Sequence, residues 1–177
     1  MIKDSELLWA LKHNVEHGFR VLMECYRQPI YWHIRRLVVY HADAQDATQE
    51  TFIRVFRSIS KFRGDSSLKV WIYRIATNEA MRLVGRRRDG FLPIDDDENS
   101  EVRQISAADY VNYDDAMAVK FQNAILSLPA KQRLAFNMRY YDEMDYDEIA
   151  KIIGSTMSGV KASYHIAKEK IARYMNA

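Results

Sequence analysis

Residues 145–174 read DYDEIAKIIGSTMSGVKASYHIAKEKIARY, and this stretch decides the fold. Asp145 followed three positions later by Glu148 is the pattern of a capping box, which starts a helix. Gly154 suits the left-handed residue that ends such a helix, and Thr156 suits the cap of the next one. Apolar side chains then recur with the period of a helix, which predicts a second, longer helix with a stripe of Val160, Tyr164, Ala167, Ile171 and Tyr174.

A short helix, a tight turn and a longer helix form the helix-turn-helix pattern of many DNA-binding proteins. In that motif the first helix braces the DNA backbone and the second presents its early side chains to base edges in the major groove. A plain helical hairpin would show the same spacing, but the basic and hydroxyl side chains outside the stripe favour DNA binding. The residues expected to face DNA are Thr156, Ser158, Lys161, Ala162, Ser163, His165 and Lys168.

The rest of the chain also has apolar residues at helical spacing, which predicts four helices in residues 1–90 and two more ahead of the motif. Capping and helix-breaking residues mark the expected boundaries: Gly18 ends the first helix, Pro29 bends or interrupts the second, Asp43 caps the third, and Ser66 or Ser67 caps the fourth. The predicted fold class is therefore all-α, with an N-terminal helical bundle and a C-terminal helix-turn-helix domain.

The composition sets limits on the class of protein. Of 177 residues, 48% are hydrophobic and 28% are charged, which is ordinary for a globular protein. No apolar run reaches the length of a membrane-spanning helix, and the N-terminus shows no export signal. The single cysteine, Cys25, excludes an internal disulfide, and its position on an apolar stripe predicts a core residue. These limits predict a cytoplasmic, mostly helical protein.

Charge is unevenly distributed along the chain. Residues 1–90 carry 16 basic and 10 acidic side chains, residues 91–118 carry one and eight, and residues 119–177 carry nine and six. The net charges are therefore +6, −7 and +3. We interpret the middle segment as an acidic linker between two basic domains, since like charges keep a chain extended. Basic domains favour a polyanionic partner such as nucleic acid, although two solvated surfaces would look the same.

Basic and aromatic residues alternate on the fourth predicted helix. Trp71 and Tyr73 lie among arginines 74, 82 and 86–88. Aromatic rings with basic neighbours suit single strands, whose bases can stack. The alternative is that Trp71 belongs to the core and the arginines form a solvated face. For Trp71 we favour the core, because it lies on the apolar stripe.

Four motifs in this order resemble the extracytoplasmic-function (ECF) subgroup of bacterial RNA polymerase sigma factors. DAQDATQETFIRVF at 43–56 resembles the family's polymerase-binding helix, and WIYRIATNEA at 71–80 resembles its promoter-melting helix. LSLPAKQR at 126–133 and YDEIAKIIG at 146–154 resemble its C-terminal helix-turn-helix domain. The resemblance implies a region 2 domain at 1–90, a linker at 91–118 and a region 4 domain at 119–177.

The resemblance also implies roles for single residues. The helix 43–62 would bind the coiled coil of the polymerase β′ subunit through Asp43, Asp46, Gln49, Glu50 and Thr51. The loop 62–67 would hold a flipped base of the minus-ten promoter element, with Asn78 as a base contact. The full set expected at that element is Arg63, Asp65, Ser66, Lys69, Arg74, Asn78, Arg82, Arg86, Arg87 and Arg88. The helix-turn-helix residues would read the minus-thirty-five element.

Implied partners are core RNA polymerase, through the β′ coiled coil and the β flap, promoter DNA, and an anti-sigma factor. The acidic linker would run through the polymerase cleft as a mimic of nucleic acid, or serve only as a spacer. Two rivals remain: a stand-alone helix-turn-helix regulator that binds duplex DNA without polymerase, and a helical adaptor with no DNA role. We expect no catalytic residue and no cofactor, because the five scattered histidines support no Ser/His/Asp or Cys/His set. We also expect no metal site, since His13 and His17, four positions apart, have no third ligand.

Overall fold

The computed structural model describes residues 3–38, 40–90 and 116–177, with the backbone alone at 87–90. Every regular element in these ranges is helical, which confirms the all-α fold class. The helices are α1 (Asp4–His13), α2 (Val15–Arg35), α3 (His41–Ser58) with a 3-10 turn at Ile59–Lys61, α4 (Leu68–Gly90), α5 (Ala116–Leu126), α6 (Ala130–Tyr140), α7 (Tyr146–Ile153) and α8 (Met157–Asn176). We call α1–α4 the first lobe and α5–α8 the second lobe. Within the described ranges no helix is long and apolar enough to cross a membrane.

Helices α1 and α2 approach each other closely at Gly18. A Cβ there would lie 2.5 Å from the backbone nitrogen of Leu11, closer than real atoms pack. The prediction that Gly18 ends the first helix is wrong, because the break comes at Asn14, whose side chain accepts a hydrogen bond from the backbone of His17. Gly18 is therefore needed for packing rather than for a helix end.

Two further sequence predictions about α2 are corrected. Of the two effects predicted for Pro29, a bend or an interruption, the interruption is wrong, because the helix runs unbroken from Val15 to Arg35. Because proline has no backbone N–H, one hydrogen bond of α2 is missing at Pro29. The helix tolerates this loss because Leu22 and Ile30, which are both fully buried, hold it in place on either side. Cys25 is exposed instead of buried, since it lies beside the buried face of α2 rather than on it.

The start of α4 is fixed by two side chains. Ser67 accepts a hydrogen bond from the backbone N–H of Val70 at 3.2 Å, in agreement with one of the two predicted caps. Asp4 of α1 accepts the backbone N–H of Leu68 at 2.8 Å. The first turn of α1 therefore holds the first turn of α4. Asp43 does not cap α3, because that helix already begins at His41.

The second lobe follows the predicted pattern closely. Asp145 and Glu148 form the capping box of α7, and Gly154 ends α7 with a φ of 66° in the left-handed region. Thr156 accepts a hydrogen bond from the backbone of Gly159 and caps α8. Val160, Ala167 and Ile171 are buried, while Tyr164 is half-buried and Tyr174 is 40% exposed.

The two lobes pack against each other through α4 and α7. A single hydrophobic cluster contains buried side chains of both lobes, including Ile72 and Ala76 from α4 and Ile149 and Ile152 from α7. A second cluster of Ala124, Ile125, Leu128, Phe136, Ala167 and Ile171 belongs to the second lobe alone. The packing places the helix-turn-helix directly beside α4.

Candidate functional site

Helix α8 exposes most of the side chains predicted to face DNA. Ser158, Lys161, Ala162, His165 and Lys168 are exposed, and Ser163 is half-buried. The hydroxyl of Thr156 is occupied by the helix cap and lies 3.2 Å from the hydroxyl of Ser158. Two apolar residues outside the predicted DNA-facing set, Met157 and Ile166, are 58% and 43% exposed on this helix. The outward face of α8 is thus a mixed polar and apolar strip with two lysines.

Helix α4 and the loop before it expose a second group of predicted residues. Arg63, Asp65, Arg74, Asn78 and Arg86 are exposed, whereas Ser66, Lys69 and Arg82 are half-buried. The side chains of Arg87 and Arg88 lie outside the described residues. Trp71 is half-buried against the core, and its ring lies 5.2 Å from that of Phe62, centroid to centroid. An aromatic pair therefore flanks the loop 62–67.

Arg82 is held by a buried carboxylate. Glu79, 4% exposed at its side chain, accepts Arg82 Nη2 at 2.7 Å and pairs with Arg54 Nε of α3 at 2.8 Å. Arg54 Nε also lies 3.1 Å from a carboxylate oxygen of Glu50. A chain of ion pairs thus joins a residue predicted to bind polymerase to one predicted to bind DNA. Sequence spacing gave no sign of Glu79, since a carboxylate on a basic helix resembles surface charge.

Helix α3 exposes part of the predicted polymerase surface. Asp46 and Gln49 are exposed, and Asp43 and Glu50 are half-buried. Thr51 is fully buried and its hydroxyl donates to the carbonyl of Ala47 at 2.7 Å. Thr51 therefore stabilises α3 and presents no group to a partner, which removes it from the predicted contact set.

An exposed aromatic side chain joins the α3 surface. The side chain of Phe56 on α3 is 51% exposed. Its ring meets that of Phe19 edge to face, at 5.2 Å between centroids. The α3 surface therefore combines acidic and amide groups with an exposed aromatic ring, a residue type that is enriched at protein interfaces.

Polar contacts between the lobes involve residues that the sequence did not single out. His33 Nδ1 lies 2.8 Å from Oδ2 of Asp142, and both side chains are nearly inaccessible to solvent. Arg36 Nη1 lies 3.4 Å from Oδ1 of the same carboxylate. Arg74, a predicted DNA contact, donates instead to the carbonyl of Lys151 at 2.6 Å. No sequence signal links positions 109 residues apart, so only the fold reveals this contact.

Two tyrosines near this contact stay neutral at physiological pH. Burial, reinforced by the Asp142 carboxylate and opposed by Arg36, raises the pKa of Tyr73 far above its ordinary value. Burial, with a smaller contribution from Asp4, raises the pKa of Tyr26 to about 12. Their phenols act as uncharged packing groups. Among the described residues no cluster of three or more metal-ligating side chains is present.

Comparison with known proteins matches both lobes to one family. Residues 22–89 match the sequence model of Sigma-70 region 2, and residues 118–171 match that of Sigma-70 region 4. The chain is 29% identical over 180 residues to the RNA polymerase sigma-H factor of Pseudomonas aeruginosa, covering 96% of this chain and 92% of that one. It is 30% identical over 178 residues to the ECF RNA polymerase sigma-E factor of Escherichia coli K12, covering 96% and 93%.

Two solved structures share the fold. CnrH, in complex with the cytosolic domain of CnrY, has a TM-score of 0.73 at 18% identity and covers 98% of this chain and 97% of its own. RpoE, in complex with the anti-sigma factor NepR from Bartonella quintana, has a TM-score of 0.68 at 19% identity and covers 90% and 97%.

These matches place the chain among the sigma-70 proteins, whose members are non-enzymatic initiation factors of transcription. Within that class, the chain belongs to the ECF RNA polymerase sigma factors. Its function is that of a sigma factor, which binds core RNA polymerase and directs it to promoters. The matches support this role and not that of a stand-alone helix-turn-helix regulator.

Proposed function

We propose that the exposed surfaces of α3, α4 and α8 each perform a different step of sigma-factor function. Helix α3 binds core polymerase, the loop 62–67 with α4 opens the minus-ten element, and α8 reads the minus-thirty-five element. The observation that carries this proposal is the order of exposed surfaces along the chain, which follows the order of the two matched regions. The two lobes, residues 1–90 and 119–177, are proposed to act as separate domains on DNA.

Binding to core polymerase is assigned to Asp46 and Gln49, with Asp43, Glu50 and Phe56 at the edge of the same surface. The acidic groups make this surface negatively charged, and the Phe56 ring supplies apolar area that is buried on binding. Partly exposed aromatic residues carry much of the energy at such interfaces.

Replacing Asp46 and Gln49 with Ala together is expected to weaken binding to core RNA polymerase at least tenfold, about 1.4 kcal/mol. The measurement is a titration of labelled sigma factor with core enzyme. The matched control is Glu24→Ala with Gln28→Ala, an acid and an amide exposed on α2. Equal affinities of the two double variants would remove this part of α3 from the polymerase contact.

Opening of the promoter is assigned to Asn78, Arg74 and the loop 62–67. Asn78 is exposed one helical turn after Arg74, and its amide both donates and accepts hydrogen bonds. Unstacking a base costs a few kcal/mol, which contacts to the flipped base can offset. The Phe62–Trp71 pair borders the loop and offers aromatic surface for a base.

An Asn78→Ala variant is expected to bind core polymerase normally and to form open complexes about tenfold less well, because a base contact is lost. Permanganate footprinting of unpaired thymines measures the bubble, and core binding is measured on the same protein. A normal footprint in the variant would show that Asn78 makes no contact required for melting.

Reading two promoter elements requires the lobes to separate. The minus-thirty-five and minus-ten elements lie about 25 base pairs apart, roughly 85 Å at about 3.4 Å per pair. A compact chain of 177 residues has a radius of gyration of about 16 Å, so it spans roughly 40 Å. The segment between Gly90 and Ala116 is long enough to bridge the difference at about 3.3 Å per residue. The packed arrangement is therefore an inactive form.

An anti-sigma factor is the partner proposed to hold that form. CnrH and RpoE were solved in complexes with CnrY and with the anti-sigma factor NepR, and both share the fold of this chain. A protein that covers α3 and α8 while the lobes are packed would block polymerase and DNA together. Nothing in the described residues identifies that partner.

A further inference from the structure

The contact between the lobes is centred on one buried carboxylate. Asp142 is 5% exposed at its side chain, and its two oxygens face His33 and Arg36 of α2. The Arg36 guanidinium also lies 4.2 Å from the ring centroid of Tyr141. Asp142 is thus an anion of the second lobe held by two donors of the first lobe.

His33 uses both of its ring nitrogens, one towards each lobe. The Thr77 hydroxyl donates its only proton to the carbonyl of Tyr73 at 2.8 Å. The same hydroxyl oxygen lies 2.8 Å from His33 Nε2. His33 Nδ1 donates, because the carboxylate of Asp142 only accepts. His33 therefore donates to Asp142 across the contact between the lobes.

Arg74 of α4 makes a further polar contact between the lobes. Its guanidinium donates to a backbone carbonyl of α7, that of Lys151, at 2.6 Å. We call His33, Arg36 and Arg74 the donor face. When the lobes separate, the oxygens that the second lobe supplies to these contacts leave, and the donor groups of His33, Arg36 and Arg74 lose those partners.

We propose that the donor face is an anion site, filled by Asp142 when the lobes are packed and by a backbone phosphate of single-stranded promoter DNA when they separate. Carboxylate and phosphate oxygens accept the same charge-assisted hydrogen bonds, and an arginine suits either group. Arg74 lies one helical turn from Asn78, so a strand that reaches Asn78 passes Arg74 of the donor face. The inference rests on the proposed melting role of α4.

Competition follows from a shared site. DNA cannot use the donor face until Asp142 leaves, and Asp142 cannot return while a phosphate is bound. Asp142 thus sets how readily the packed protein opens on DNA. Asp142→Asn removes the anionic charge, keeps the size of the side chain and retains one acceptor oxygen.

The test uses the full chain with dyes at two cysteines. Cys25 is the only cysteine and is exposed on α2, and Lys170→Cys supplies the second site on α8. Energy transfer reports separation of the lobes, and a 20-nucleotide single-stranded DNA probe is titrated at several salt concentrations. Asp142→Asn is expected to lower the DNA concentration needed for opening about tenfold. The matched control is Asp147→Asn, whose carboxylate pairs with Lys151 within α7 and is expected to leave opening unchanged.

A second variant tests the phosphate contact itself. Arg36→Ala in the Asp142→Asn background is expected to abolish the gain in DNA affinity and to reduce the salt slope by about 0.7, the value for one phosphate contact on a single strand. Arg36→Lys keeps the charge and is expected to restore most of the slope. If the salt slope of DNA binding were unchanged in Arg36→Ala, the donor face would bind no phosphate and would serve only as a contact between the lobes. If the lobes of the Asp142→Asn variant separated at the same DNA concentration as those of the wild-type protein, competition between Asp142 and DNA would be excluded.

Failure of this inference is distinguishable from failure of the proposed function. Each labelled protein is also titrated with core RNA polymerase, and its thermal unfolding is recorded. A wild-type protein that binds core enzyme and unlabelled promoter DNA, but shows no effect of Asp142→Asn or Arg36→Ala, overturns the anion site alone. A wild-type protein that binds neither overturns the function on which the inference rests.

Discussion

A Gly18→Ala variant is expected to lose up to about 2 kcal/mol of folding free energy, although alanine is the better helix former. The added Cβ would lie 2.5 Å from a backbone nitrogen of α1. A side chain could rotate to relieve such a clash, but the backbone of a helix cannot. Overpacking of this kind costs about 1–3 kcal/mol and outweighs the gain of roughly 1 kcal/mol in helix propensity. Guanidinium chloride unfolding, followed by circular dichroism, measures the loss.

Gly85→Ala is the matched control. Gly85 also lies inside a helix, and a Cβ there would meet nothing within 4 Å. This variant is expected to gain about 0.5–1 kcal/mol from helix propensity. If Gly18→Ala were as stable as Gly85→Ala, the close approach of α1 and α2 would be wrong.

The Gly18 substitution also bears on function. Displacement of α1 takes Asp4 away from the backbone N–H of Leu68, which Asp4 holds at the start of α4. The loop 62–67 ends at that point, so its geometry depends on α1. We expect Gly18→Ala to impair promoter melting more than binding to core polymerase.

Replacing Lys161 and Lys168 with Ala together is expected to weaken promoter binding by the holoenzyme about 100-fold. Both lysines are exposed on α8, and a hydrogen bond to a charged group contributes at least about 1.5 kcal/mol. Loss of two phosphate contacts also reduces the salt slope of duplex binding by about 1.8. Affinities measured across a salt series give both quantities.

Lys12 and Lys131 provide the control for charge alone. Both are exposed on helices outside the predicted DNA surfaces, so the double variant to Ala changes the net charge equally. That variant is expected to keep the wild-type salt slope. An unchanged slope in the Lys161 and Lys168 variant would exclude both residues from the phosphate contacts.

The second lobe was predictable from sequence because local signals determine it. The capping box at Asp145 and Glu148, the left-handed Gly154 and the Thr156 cap each act within a few residues. Local rules therefore predicted the helix-turn-helix and its exposed lysines. The all-α fold class and the family followed from the same short motifs.

The sequence predictions failed where packing between distant segments decides the outcome. Gly18 looks like a helix end until α1 is seen to cross it, and Thr51 looks like a surface residue until its burial is known. Pro29 looks like a helix break, yet the buried residues on both sides keep α2 continuous. The carboxylates of Glu79 and Asp142 could not be distinguished from surface charge, because their partners lie on other helices.

The acidic segment between the two lobes has two proposed roles. Its net charge of −7 over residues 91–118 fits either a mimic of nucleic acid or an extended spacer. Most of this segment, residues 91–115, lies outside the described residues. Replacing the Asp and Glu residues of this segment with Asn and Gln removes the charge and keeps the length. Such a variant would separate the effect of the negative charge from that of the length of the segment.

The most direct test of the account is transcription in vitro from a pool of genomic promoters with purified core RNA polymerase and this protein. Mapping of transcript 5′ ends is expected to show a defined set of start sites that appear only when the protein is present. Those starts should share upstream elements spaced as two separated lobes require. Transcripts that begin at the same positions with and without the protein would contradict the assignment of a sigma factor.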